Sequence, residues 1–162
     1  MANFTRAQVS IACSHYGSQL ENVPQGLDGS RILWAIAGNE SSFGENCAPR
    51  YEPAYGPGGR YFSPSTYEKF GKLGCSSLGV WQIMFVNCPS NYVPSDMDDL
   101  DKAAVATVLF LNRQLNRFRP STLRSIGAIW NGGNPGALQR PEVQVYADRL
   151  ERNYAVPLME IA

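Results

Sequence analysis

The feature that most constrains this chain is the stretch from about Asp98 to Phe118, where Leu100, Ala104, Val108, Leu111, Leu115 and Phe118 recur at intervals of three and four residues. Such spacing puts one apolar stripe on a 3.6-residue helix and is incompatible with the two-residue period of a strand. Acidic residues gather at its first turn, where the helix dipole favours negative charge, and Pro120 lies just past its end. A helix this long with a single apolar stripe needs a partner of the same kind, so the stretch predicts a central core helix in a mainly α domain.

Shorter elements of the same type flank it. Thr5 is placed to cap a helix over 5–16 that carries Val9, Ala12, Cys13 and Tyr16, with Gly17 ending it. Ser30 is placed to cap a second, in which Ile32, Leu33, Trp34, Ile36 and Ala37 form a broad apolar face and Glu40 lies near the C-terminal end. Leu123 to Trp130 reads as a helix stopped by Gly132 and Gly133, and Pro141 starts a last one with Val143, Tyr146, Ala147, Leu150 and Tyr154. Between Gly44 and Gly74 the composition turns to Gly, Pro and Tyr, and only Pro64 to Phe70, behind Ser63, has helical character. A loop of that length in a small domain usually has a function. Periodicity does not decide the state of LGVWQIMFV at 78–86; its helical neighbours favour helix.

With 162 residues the chain has the size of one domain and one core. Its 14 Lys and Arg balance 14 Asp and Glu, which leaves no field to gather nucleic acid or an anionic membrane, and no apolar run is long enough for membrane insertion. The opening MANFTRAQVS lacks a basic segment followed by an apolar one, so no signal peptide is expected. Cys13, Cys47, Cys75 and Cys88 form no CxxC pair and the single His15 does not complete a zinc set, so no metal is expected. A Cys47–Cys75 disulfide closing the Gly/Pro-rich stretch and a set of free buried thiols both remain open.

Glu40 follows Leu33 by seven residues, Ile36 by four and Ala37 by three, so its carboxyl projects from the apolar face of its helix, with no obvious local cation. Burial favours the protonated form of a carboxyl, the form a general acid needs to donate to a glycosidic oxygen. A carboxylate turned to solvent at the helix end, or tied to an arginine, fits the spacing equally.

Three segments weigh on that choice: Glu40-Ser41-Ser42-Phe43, Gly79-Val80-Trp81-Gln82-Ile83 and Ala128-Ile129-Trp130-Asn131-Gly132. In this order and on a helical chain they resemble the lytic transglycosylases and the related goose-type lysozymes, over about residues 30–154. The resemblance implies a lysozyme-like single domain spanning 1–162, with the long Gly/Pro/Tyr-rich insert lining its groove. It implies a muramidase that cleaves the β-1,4 bond between N-acetylmuramic acid and N-acetylglucosamine. Glu40 would protonate the bridging oxygen and then, as carboxylate, take the proton of the sugar's own C6 hydroxyl, closing a 1,6-anhydro ring. Ser41, Tyr55, Gln82, Trp130, Asn131 and Tyr146 become the expected substrate-binding residues. Trp130 stands where the family usually has tyrosine, so no hydroxyl role carries over to that position.

The insert also supplies Glu52 beside Tyr51, Tyr55 and Tyr61, a mixture suited to sugar rings. Glu52 is a candidate second catalytic carboxylate: if it positioned a water, the enzyme would be an inverting hydrolase, with the two carboxyls about 6.5 to 9.5 Å apart. A salt bridge from Glu52 to Arg50 or Arg60 is the alternative. Trp34 and Trp81 lie within apolar stretches and belong to the core. No cofactor is expected, because acid-catalysed glycoside cleavage needs only carboxyls and a shaped groove. The expected partners are peptidoglycan glycan strands, met by a monomer or by a domain carried in a phage-tail or secretion-device assembly. The expected place of action is the cell wall, reached by lysis, injection or non-classical export. A non-catalytic cell-wall binding or phage-tail structural protein is the alternative from another class.

Overall fold

A computed structural model describes residues 2–159. Six α-helices, with short 3-10 turns between them, account for most of them: α1 (Arg6–Gly17), α2 (Gly29–Ser41), α3 (Pro64–Phe70), α4 (Leu100–Phe118), α5 (Leu123–Gly132) and α6 (Pro141–Ala155). Three short strands, β1 (Arg50–Tyr51), β2 (Ser76–Leu78) and β3 (Ile83–Met84), form an antiparallel sheet in the order β1-β2-β3, with Arg50 opposite Ser77 and Ser77 opposite Met84. The chain is mainly helical, and no described helix is long and apolar enough to cross a membrane.

Local chemistry explains most helix ends. Thr5 caps α1 in a capping box, its side chain accepting from the Gln8 amide while the Gln8 side chain accepts from the Thr5 amide. Ser63 caps α3 ahead of Pro64, and α5 ends on Gly133 in the left-handed conformation. The cap of α2 is Asp28 rather than Ser30, its carboxylate accepting from the Arg31 amide 2.9 Å away. The reason is packing: a Cβ on Gly29 would come within 2.2 Å of the Gly17 carbonyl oxygen, and one on Gly17 within 2.3 Å of Ser30. Helices α1 and α2 therefore meet backbone to backbone at this glycine pair, which draws Ser30 inside the first turn.

The core is organised differently from the sequence expectation. Six consecutive residues of α2, Ile32 to Ala37, are each 1% exposed or less, so α2 is enclosed on all sides and is the central helix. It packs on α1 and on α6. The longer α4 presents only its stripe, including Ala104, Val108, Leu111 and Leu115, and leaves Leu109 46% exposed. Helix α6 runs antiparallel to α2: the Asp28 amide donates to the Tyr154 hydroxyl at one end, and the Asn39 side chain donates to the Tyr146 carbonyl at the other. Trp34 and Trp81 are core residues, each 1% exposed, with the Trp81 indole donating to the Leu33 carbonyl at 2.9 Å.

The segment 78–86 is not a helix. It forms the last residue of β2, a turn over 79–82, β3, and the start of a 3-10 turn at Phe85–Asn87. Gly79 has φ +75° and Gln82 φ +47°, and two left-handed residues so close together interrupt any α-helix. Gly79 adopts that φ without steric cost, and Trp81, anchored on α2, fixes the turn between the strands.

All four cysteines are free thiols. Cys47 and Cys75, the pair left open by the sequence, are both buried and unlinked. Burial pushes the Cys47 thiol up to about 11 and the Cys88 thiol up to about 12.

Candidate functional site

Helix α2 ends abruptly at Ser41, one residue after Glu40. Ser42, Phe43 and Gly44 all have positive φ, which folds the chain back so that the Phe43 ring lies 4.2 Å from the Trp34 ring, centroid to centroid. The Glu40 side chain is left at the base of a cleft of about 540 Å³ walled by two kinds of structure. On one side stand α5 with Trp130 and Asn131 and α4 with Phe110, Gln114 and Arg117; on the other stand Arg50, Glu52, Tyr55 and Tyr61, with Gln82 from the β2–β3 turn.

Glu40 has a side chain only 6% exposed and accepts three hydrogen bonds. Oε1 receives the Trp130 indole N–H at 3.0 Å and the Tyr146 hydroxyl at 2.8 Å; Oε2 receives the Arg50 guanidinium at 2.5 Å. All three partners are donors, the complement of an ionised, acceptor-only carboxylate. Burial, and then the Glu40 charge, push the Tyr146 phenol well above its ordinary range, so it stays a donor. Tyr146 is itself steadied by the Asn39 contact to its carbonyl, and Asn39 accepts from the Asn153 side chain at 2.8 Å. Phe110 of α4 meets Trp130 edge to face, with centroids 5.6 Å apart, and so braces the indole from outside.

Of the residues singled out in the sequence, Glu40, Glu52, Tyr55, Tyr61, Gln82, Trp130 and Asn131 line this one cleft, and Tyr51, Ser41 and Tyr146 do not. Ser41 is 1% exposed, and its hydroxyl is used at the helix end, donating to the Ala37 carbonyl at 3.2 Å and accepting from the Gly44 amide at 2.9 Å. Tyr146 is 4% exposed and reaches the cleft only through Glu40, which makes it a positioning residue instead of a sugar contact. Gln82 is 5% exposed; its amide nitrogen donates to the carbonyls of Gly79, at 2.9 Å, and Ala48, at 3.3 Å, and its buried Oε1 has no partner.

The cation-free surroundings expected for Glu40 are not found: Arg50 is the cation. It comes from β1, ten residues along, and only the sheet that places β1 beside β2 brings it there. Glu52 makes neither of the salt bridges considered for it. Arg50 is turned to Glu40, Arg60 lies over the Tyr61 ring at 5.5 Å, and Glu52 accepts a hydrogen bond from the Ser77 hydroxyl at 3.3 Å. Tyr55 and Tyr61 face each other with ring centroids 5.2 Å apart, a connection visible in the sequence only as a run of tyrosines. Among the described residues no three His, Cys, Asp or Glu side chains gather as a metal would require. No protein-family model, curated protein or solved structure matches the chain.

The chemistry open to this arrangement is that of a single enclosed carboxylate beside an elongated polar cleft. Glu40 is oriented through one oxygen by two enclosed donors, and its other oxygen meets a half-exposed arginine. Exposed aromatic rings, amides and a second carboxylate along the walls suit a ligand made of linked polar rings.

Proposed function

We propose that this chain is a lysozyme-like, peptidoglycan-cleaving enzyme of the lytic transglycosylase type, with Glu40 as its acid and base. The observation that carries the reading is the placement of Glu40: a carboxyl nearly removed from solvent yet at the base of a cleft, held by Trp130 and Tyr146 through one oxygen only. Such a group can present its second oxygen to a glycosidic bond, deliver a proton as the bond breaks, and take one back from the C6 hydroxyl as the anhydro ring closes. No proton is gained or lost over the two steps, so one carboxyl suffices. The three sequence segments that resemble the transglycosylases support the same reading, since each contributes a residue that lines the cleft: Glu40, Gln82, and Trp130 with Asn131. Tyr55 and Tyr61 supply ring faces for sugars, and Asn131 an exposed amide for their hydroxyls. On this reading the partner is a peptidoglycan glycan strand and the place of action is the cell wall, whether the chain works alone or within a phage-tail or secretion-device assembly.

One observation favours a second outcome of the same bond cleavage. Glu52 lines the cleft with Glu40 and makes no ion pair among the described residues, which supports a role in directing a water at the sugar, as an inverting hydrolase would use it.

Mass spectrometry of the fragments released from purified peptidoglycan by the wild type and by Glu40→Gln tests both. Fragments one water lighter than the hydrolysis products, made by the wild type alone, are the expected result. Reducing-end muramic acid made by the wild type, and lost in Glu52→Gln, would make the enzyme a hydrolase. Wall binding without release by any form would leave a binding or structural protein.

A further inference from the structure

Arg50 differs from the other two donors to Glu40 in every respect that bears on mobility. Trp130 and Tyr146 are carried by helices of the core and share Oε1, whereas Arg50 is carried by a two-residue strand, has a side chain 52% exposed, and takes Oε2 alone. While it does so, the only oxygen of Glu40 left for a substrate is occupied by a donor, and an oxygen in that position accepts and does not give. Arg50 must therefore be drawn off Oε2 before that oxygen can meet a substrate. A guanidinium presents five N–H donors in a planar fork matched to carboxylate geometry, so a second carboxylate replaces the first with no loss of charge pairing. An uncharged sugar hydroxyl offers no such exchange.

We infer that Arg50 is a specificity-determining residue that releases Glu40 only to a glycan bearing a carboxylate, carried on the sugar itself or on a peptide attached to it. The inference rests on Glu40 being the acid of the proposed reaction. Arg117 from α4 adds a second guanidinium to the lining that is not ion-paired to either cleft carboxylate, which offsets the charge of Glu52 beside Arg50. A neutral N-acetylglucosamine polymer, by contrast, leaves Arg50 on Oε2 and the acid masked. The site thus distinguishes two polymers of like backbone by charge alone.

The test uses four substrates: peptidoglycan strands with their peptides, strands stripped of peptide so that only the lactyl carboxylates of muramic acid remain, and each of these with its carboxylates converted to methylamides. The ratio of kcat/KM on native over amidated strand is measured for the wild type, Arg50→Gln and Arg50→Lys. The wild type is expected to prefer the native strand by about 10- to 100-fold, the size of one charge-assisted contact. Arg50→Gln is expected to bring that ratio near one, and Arg50→Lys to restore part of it. Because Glu40 is nearly buried, Arg50→Gln should lower Tm and Arg50→Lys lower it less, and both are assayed well below their Tm. Preference on stripped strands assigns the carboxylate to the sugar; preference only on intact strands assigns it to the peptide. An Arg50→Gln enzyme that cleaves with the wild-type ratio overturns the inference and leaves the role of Glu40 standing. If the wild type neither cleaves nor binds any of the four, binding being read from tryptophan fluorescence, the proposed function fails and the inference with it.

Discussion

The two walls of the cleft are built on opposite principles. On the helical side, Trp130 is carried by α5 and the buried Tyr146 behind it by α6, two helices packed on each other with α6 packed on α2, which holds both donors to Glu40 Oε1. The wall formed by 50–61 has two strand residues, a single 3-10 turn at Pro53–Tyr55, and side chains such as Arg50 and Tyr61 that are more than half exposed. Fixed donors suit a group that must keep one geometry through a reaction, and exposed, loosely held groups suit recognition of a ligand that arrives and leaves. On the proposed function, the helical side would govern the chemical step and the 50–61 side would govern which strand is admitted.

The sharpest way to break this division is at the residue both walls share. Glu40→Gln keeps the shape and removes the proton donor, so glycan release should fall by about 10²- to 10⁴-fold, measured as fragments per hour from purified peptidoglycan. On the helical wall, Tyr146→Phe removes one buried donor; kcat should drop about tenfold with KM unchanged, and stability by about 1 kcal/mol, read from chemical denaturation. A Tyr146→Phe enzyme with unchanged kcat would show that Trp130 alone fixes Oε1. On the other wall, Tyr55→Ala with Tyr61→Ala should do the reverse, raising KM by about tenfold while kcat and Tm hold, as expected where only ring stacking is lost.

The smallest effect concerns the core beneath both walls. Cys13, Cys47, Cys75 and Cys88 are all held above the ordinary thiol value of 9.0 by burial, so the neutral form is the one that fits the fold. A group raised on folding contributes stability in full below its unfolded value and loses it as pH climbs through the folded one. Tm should therefore be flat up to about pH 9 and decline towards pH 11, and a thiol reagent at pH 8 should find the native protein inert and the unfolded chain reactive at four positions.

What the sequence made legible follows the same contrast. Elements specified by neighbours three or four residues apart were readable: the Thr5 cap of α1, the stripe of α4, the Ser63-Pro64 start of α3, the Gly133 stop of α5. Features that depend on distant chain were not. The glycine crossing that displaces the α2 cap from Ser30 to Asp28 needs two helices to meet. The turn at Gly79–Gln82 is set by the reach of Trp81 to Leu33, across 48 residues, against an apolar run that suited a helix equally. Glu40 was recognisable as an acid on an apolar face, but its pairing with Arg50 required the sheet, and the inward use of Ser41 required the fold-back over Phe43.

The separation of Glu40 from its partners along the chain has a temporal meaning as well. Arg50 follows it by 10 residues, Trp130 by 90 and Tyr146 by 106. During synthesis the arginine that masks the carboxylate is therefore made almost at once, and the two groups that aim it are made last. A chain cut before α5 holds Glu40 paired to Arg50 with neither Trp130 nor Tyr146 to orient it, so on the proposed function its chemistry waits for α5 and α6 to be in place.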